Sequence, residues 1–107
     1  SIEELSSTAD RLLSFLPTRC IVLIEGEMGV GKTTLMSTLL NKIGIQEVSS
    51  PTYSVVNEYL SQDGKKIHHY DLYRIQSVDE LMELGFMDLL EHADWHFLWV
   101  HDTFTQC

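Results

Sequence analysis

The sequence predicts an α/β fold, a small three-layer sandwich with helices on both faces of a sheet. Three observations carry that prediction. Cys20-Ile-Val-Leu-Ile24 is a continuous apolar run, the pattern of a strand buried on both faces. A turn rich in glycine, Gly26 to Gly31, follows it directly. Helical periodicity stands on either side of the pair.

The elements follow in order. Ser1–Leu16 reads as an amphipathic helix, with Leu5, Ala9, Leu12, Leu13 and Leu16 on one face. Ser1 and Glu4 form a capping-box pattern, and Pro17 stops the helix. Lys32–Ile43 reads as a second helix, with Gly44 placed as its C-terminal cap. Ser49-Ser-Pro-Thr52 is loop chemistry. Tyr53–Tyr59 and Lys65–Tyr70 flank Ser61-Gln-Asp-Gly64 and read as a β-hairpin. Ser77-Val-Asp-Glu80 is a further capping box, opening a helix that ends near Gly85. Phe86–Leu90 adds another helical turn, and His96–Val100 is a last apolar strand. That gives about four strands, fewer than a complete doubly wound sheet, so part of the natural domain is expected to be missing.

Length and composition bound what this fold can do. A chain of 107 residues is expected to form one domain, with 44% hydrophobic residues to supply its core. The apolar run is too short to span a bilayer, and no signal-peptide pattern opens the chain, so the expected location is cytoplasmic. Cys20 and Cys107 do not make a disulfide framework. The net charge of −9 disfavours direct binding of tRNA or other nucleic acid. No Lys or Arg follows Arg74, whereas Asp79, Glu80, Glu83, Asp88, Glu91, Asp94 and Asp102 do. This acidic half reads either as a solvated helix face or as a docking surface for a basic protein.

The chemistry lies in the glycine turn. Gly26-Glu-Met-Gly-Val-Gly-Lys-Thr33 matches G-x-x-x-x-G-K-[ST], the phosphate-binding loop of nucleoside triphosphatases. Gly26, Gly29 and Gly31 let the backbone turn and approach the phosphates. Consecutive N–H groups from Glu27, Met28, Gly29, Val30 and Gly31 through to Thr34 form an anion nest at a helix N-terminus. Lys32 places its charge on the β- and γ-phosphates, and the Thr33 hydroxyl is a ligand for Mg²⁺. The fold is then a small P-loop NTPase-like sandwich.

Such a loop needs an acid at the end of a neighbouring strand to hold the metal or its water. Asp71 closes Ile67-His-His-Tyr-Asp71 and is the candidate, although an Asp ending a hairpin strand reads the same way. Thr52, between the loop helix and Asp71, suits a switch segment reaching for Mg²⁺ or the γ-phosphate, or an ordinary proline turn. His68 and His69 are strand neighbours and point to opposite faces, so they cannot bind one metal together. No zinc site is assigned. Trp95, Trp99, Tyr70 and Phe97 read as core.

Gly26 to Thr34, Ser50-Pro-Thr-Tyr53, Val56-Asn-Glu-Tyr59, His69-Tyr-Asp-Leu-Tyr-Arg74 and Asp79-Glu-Leu with Leu84-Gly85 occur in this order. Together they closely resemble the TsaE (YjeE) family of bacterial ATPases, over about Ser1 to Leu90. The resemblance implies a P-loop fold with ATP and Mg²⁺, here expected to be incomplete at both ends and to lack the family's first and C-terminal strands. It also implies an ATPase working with TsaD and TsaB to make threonylcarbamoyladenosine in tRNAs that read codons starting with A. By position it makes Lys32 and Thr33 the phosphate and metal residues, Thr52 the switch residue and Asp71 the metal-site acid.

The family's Glu-Trp-Pro-type motif is missing. The corresponding strand reads His96-Phe-Leu-Trp-Val-His-Asp102, with Trp99 where the Glu should stand. Three functions follow for comparison. The first is the partner-dependent ATPase, and the second a nucleotide-dependent binding module without effective hydrolysis. The third, a small-molecule kinase, is disfavoured because Arg74 is the only Arg beyond the loop.

Overall fold

The computed structural model describes residues 2–25, 30–47, 56–72 and 75–100. The elements run α1 (Ile2–Phe15), β1 (Cys20–Glu25), α2 (Val30–Ile43), β2 (Ile45–Glu47), β3 (Val56–Ser61), β4 (Lys66–Leu72), α3 (Val78–Glu83), α4 (Phe86–Leu90) and β5 (Trp95–Val100). The strands form one five-stranded sheet in the order β1-β5-β4-β3-β2. β5 is parallel to both β1 and β4, while β3 is antiparallel to β4 and to β2. The parallel side is reached by long crossovers carrying helices, and the antiparallel side by the β3–β4 hairpin.

Strand alternation divides the core into two. On one face Ile67, Trp95 and Phe97 pack with Ala9 of α1 and with Met36 and Leu39 of α2. On the other, Tyr70, Leu72, Leu98 and Val100 pack with Leu81 of α3 and Phe86 of α4. Helices therefore cover both faces, as the three-layer reading requires. α1 and α2 are also joined by an ion pair, Lys42 Nζ to Asp10 Oδ1 at 2.9 Å.

Local chemistry sets the boundaries. The Ser77 hydroxyl accepts from the Glu80 N–H at 3.2 Å, the expected cap of α3. Gly44 ends α2 with φ of +73°, which only a glycine adopts without strain. In the hairpin turn Ser61 donates its hydroxyl to Asp63 and accepts from the Lys65 N–H at 2.9 Å. At the same end of the sheet Cys20 N–H donates to Asp94 O at 3.0 Å and Asp94 N–H to Lys66 O at 2.8 Å. These bonds hold the starts of β1, β5 and β4 level. Trp95 Nε1 donates to Pro17 O at 2.9 Å, fixing the path from α1 into β1.

Two expectations are corrected. β1 is not buried on both faces: Cys20, Val22 and Ile24 face α1 and α2, but Ile21 and Leu23 are 50% and 46% exposed. β1 stands at the end of the sheet order, and α3 and α4 lie over β4 and β5. The sheet also has a fifth strand, β2, only three residues long and paired with β3. The capping box at Ser1 and the start of the predicted hairpin strand at Tyr53 lie outside the described residues.

Candidate functional site

β1 and β4 both run parallel to β5, so their C-terminal ends share one edge of the sheet. The register levels Ile24 of β1 with Trp99 of β5, and Trp99 with Asp71 of β4. In open α/β sheets ligands bind at this edge, outside the carboxyl ends of the strands. β1 ends at this edge with Glu25, and α2 begins at Val30.

Among the predicted loop residues, Glu27, Met28 and Gly29 lie outside the described residues, as do Gly26 and Thr52. Val30, Gly31, Lys32, Thr33 and Thr34 form the first turns of α2. Their N–H groups include those left unsatisfied at any helix start, and the helix dipole places partial positive charge there. The tract therefore has the strand-to-helix context that the motif needs.

Asp71 sits in the penultimate position of β4 and is exposed. It shares the parity of Ile67, so it belongs to the face covered by α1 and α2. The acid was expected on a strand neighbouring the loop strand; β5 instead lies between them. Two strand spacings, about 10 Å, separate the rows carrying Ile24 and Asp71. The intervening β5 carries no carboxylate from Trp95 to Val100.

Beneath Asp71, His69 occupies the same face two residues earlier. It is 8% exposed, and its ring centroid lies 5.1 Å from that of Trp99. Burial lowers its pKa, and the neighbouring Asp71 charge opposes that only in part, so the ring is neutral at neutral pH. His69 Nε2 finds no hydrogen-bond partner among the described residues. From the sequence alone His69 is assigned to no metal site and Trp99 reads as core. The spacing of His69 from Asp71 was a signal that they share a face, whereas the approach of Trp99 depends on the β4–β5 register.

His68 faces the other way, as predicted, and is hydrogen-bonded to Glu58, not aimed at the strand-end site. Tyr70, Trp95 and Phe97 are core residues as expected, and Trp99 is half-buried. Among the described residues no group of three or more His, Cys, Asp and Glu side chains could hold a metal ion. No helix among them is long and apolar enough to cross a membrane.

The family model described as threonylcarbamoyl adenosine biosynthesis protein TsaE matches residues 1–103. A relative named tRNA threonylcarbamoyladenosine biosynthesis protein TsaE, from Haemophilus influenzae, is 46% identical over 69 residues, covering 64% of this chain and 43% of its own. Proteins of the same name from Borreliella burgdorferi and Rickettsia conorii are 38% and 36% identical. They cover 74% and 84% of this chain, and 57% and 52% of their own. The chain thus spans about half the length of the curated relatives it matches. The crystal structure of YdiB from Bacillus subtilis superposes with a TM-score of 0.63 at 22% identity, covering 92% of this chain and 59% of that one. That likeness supports the P-loop NTPase-like fold.

Proposed function

The chain belongs to the TsaE family, and from that premise we propose that it is an ATP-binding protein of tRNA threonylcarbamoyladenosine biosynthesis, hydrolysing ATP in company with TsaD and TsaB. The observation that supports this reading is that β1, which precedes the Gly26–Thr33 motif in sequence, and β4, which carries Asp71, end at one edge of the sheet. The motif supplies backbone N–H groups, the start of α2 and the Lys32 charge for the phosphates. Asp71 and the Thr33 hydroxyl are hard oxygen donors, the chemistry Mg²⁺ prefers, and Asp71 is exposed at that edge. When bound, Mg²⁺ supplies charge neutralisation at the phosphates. The chain's own part is to bind and orient the triphosphate. Thr52 is the switch residue that the family resemblance implies.

A second reading has its own observation. β5 lies between the loop strand and the Asp71 strand and carries no carboxylate from Trp95 to Val100. That favours a module that binds nucleotide without hydrolysing it effectively. Titration of ATP and Mg²⁺ into the wild type, alone and with TsaD and TsaB, separates the two. Turnover that rises with the partners supports the ATPase, and binding without turnover supports the module. Lys32→Ala is expected to abolish hydrolysis. Undiminished turnover by that variant in the complex would show that the loop is not the catalytic site.

A further inference from the structure

On the sheet face opposite α1 and α2, four side chains from three strands form one hydrogen-bonded chain. Glu58 Oε2 of β3 lies 2.9 Å from His68 Nε2 of β4. His68 Nδ1 lies 3.0 Å from the Tyr70 hydroxyl, which lies 2.7 Å from His96 Nδ1 of β5. His96 Nε2 ends the chain against the carbonyls of Leu90 and Ala93, at 3.2 and 3.1 Å. His68, Tyr70 and His96 are buried, and Glu58 leads the chain to the half-exposed surface.

The number of protons in this chain can be counted. Carbonyls only accept, so His96 Nε2 must carry a hydrogen. Each of the other three contacts, Glu58 to His68, His68 to Tyr70 and Tyr70 to His96, needs one more. Four positions must be filled. Two neutral imidazoles, one phenol and an ionised carboxylate supply only three hydrogens. In its ordinary ionisation state the chain is one proton short, and some buried contact would set lone pair against lone pair.

We infer that the network binds this additional proton at the Glu58–His68 contact, with His68 as an imidazolium, and so latches β3 to β4 and β5. The charged and titratable groups around it agree on the position. Arg19, from the connection before β1, reaches the same Leu90 and Ala93 carbonyls at 3.4 Å and so sets positive charge beside His96. Burial also lowers the His96 pKa, with the His68 charge and Arg19 acting in the same direction. α4 presents the apolar Phe86 ring, 5.3 Å from Tyr70 and 6.4 Å from His96 between centroids. Glu58 is the only carboxylate hydrogen-bonded into the chain among the described residues. The His68 and His96 rings are 5.2 Å apart, so a second positive charge is opposed. Imidazole is the stronger base of the Glu–His pair, which puts the proton on nitrogen.

With this proton in place every contact has one donor and one acceptor. Glu58 accepts from His68 Nε2, the Tyr70 oxygen accepts from His68 Nδ1, and Tyr70 donates to His96 Nδ1. The latch joins the strand that follows the Thr52 segment to the strand that ends near Asp71. It does not depend on nucleotide binding, so it stands or falls apart from the proposed ATPase.

The test is nitrogen NMR of the full chain with labelled histidine at about pH 7, in the absence of nucleotide. The expected result is a His68 ring protonated on both nitrogens, and a neutral His96 carrying hydrogen on Nε2. In Glu58→Gln the side-chain amide donates the missing hydrogen itself. His68 should then become neutral with hydrogen on Nδ1, while the Tyr70–His96 bond remains. A neutral His68 in the wild type, or an imidazolium that persists unchanged in Glu58→Gln, would overturn the inference. The wild-type spectrum decides even if the variant does not fold.

Discussion

At the scale of single residues, the two sheet faces set different demands on their histidines. Tyr70 is fully buried, and its hydroxyl stands between two imidazole nitrogens. Burial raises its pKa, so it remains a neutral phenol able to donate and accept at once. Tyr70→Phe keeps the ring against Phe86 but strands both nitrogens. It should cost about 1–3 kcal/mol per group left unsatisfied, read as a lower urea midpoint. His69 and His96 are both held below their ordinary value of 6.5, chiefly by burial. The unfolded chain therefore binds protons that the folded chain resists. Their contribution to stability is present above the unfolded value of 6.5 and is lost as pH falls from there through the folded pKa values. Unfolding free energy should decline below about pH 6.5 in denaturant titrations at stepped pH. His96→Gln, less stable at neutral pH, should show a shallower decline. An equally steep acid limb in that variant would place the effect elsewhere.

At the scale of elements, turns and caps were the most legible features, because the residues that make them act locally. Ser77 caps α3 as its sequence pattern requires, and Ser77→Ala should cost about 1 kcal/mol, a fall of several degrees in Tm. Gly44 and Gly64 both have positive φ, +73° and +88°. A Cβ at Gly44 would meet the Gln62 side chain at 3.0 Å, whereas nothing lies within 4 Å of one at Gly64. Alanine at either position should cost about 1 kcal/mol in backbone strain. Gly44→Ala should be the worse of the two by thermal melt, since Gln62 must also move. Strand environment was far less legible. Cys20–Ile24 reads as doubly buried because an apolar run does not say which strands or helices will cover it. Ile21 and Leu23 stay open because α3 and α4 sit over β4 and β5. β2 was missed because three residues, Ile45-Gln-Glu47, are too few to show a period. For the site, the phosphate motif and the parity of Asp71 were readable along the chain. The insertion of β5 between β1 and β4 was not, because strand order comes from crossovers that no local pattern encodes. The same limit hid the proton network. Alternation separates His68 from His69, but only register brings Glu58 and His96 to His68.

At the scale of the whole molecule, long-range charge and short-range apolar surface oppose each other. A net charge of −9 repels other copies of the chain, over distances set by the salt concentration. Against that, β1 has a single strand neighbour among the described residues, β5, and shows Ile21 and Leu23 on one face. An apolar strand at a sheet edge with an open face is a template for pairing with another chain. The 107-residue chain is therefore expected to self-associate through β1, weakly at low ionic strength and more strongly as salt screens the repulsion. Sedimentation velocity across a salt series measures this directly. The two faces of β1 supply an internal control. Leu23→Lys places a charge on the open face and should suppress association while leaving the circular dichroism spectrum and melting midpoint nearly unchanged. Val22→Lys, one residue away, turns the charge toward α1 and α2, where Val22 is partly buried, and should lower stability by about 1–3 kcal/mol. Association that weakens with added salt, or that Leu23→Lys leaves intact, would mean that β1 is not the contact.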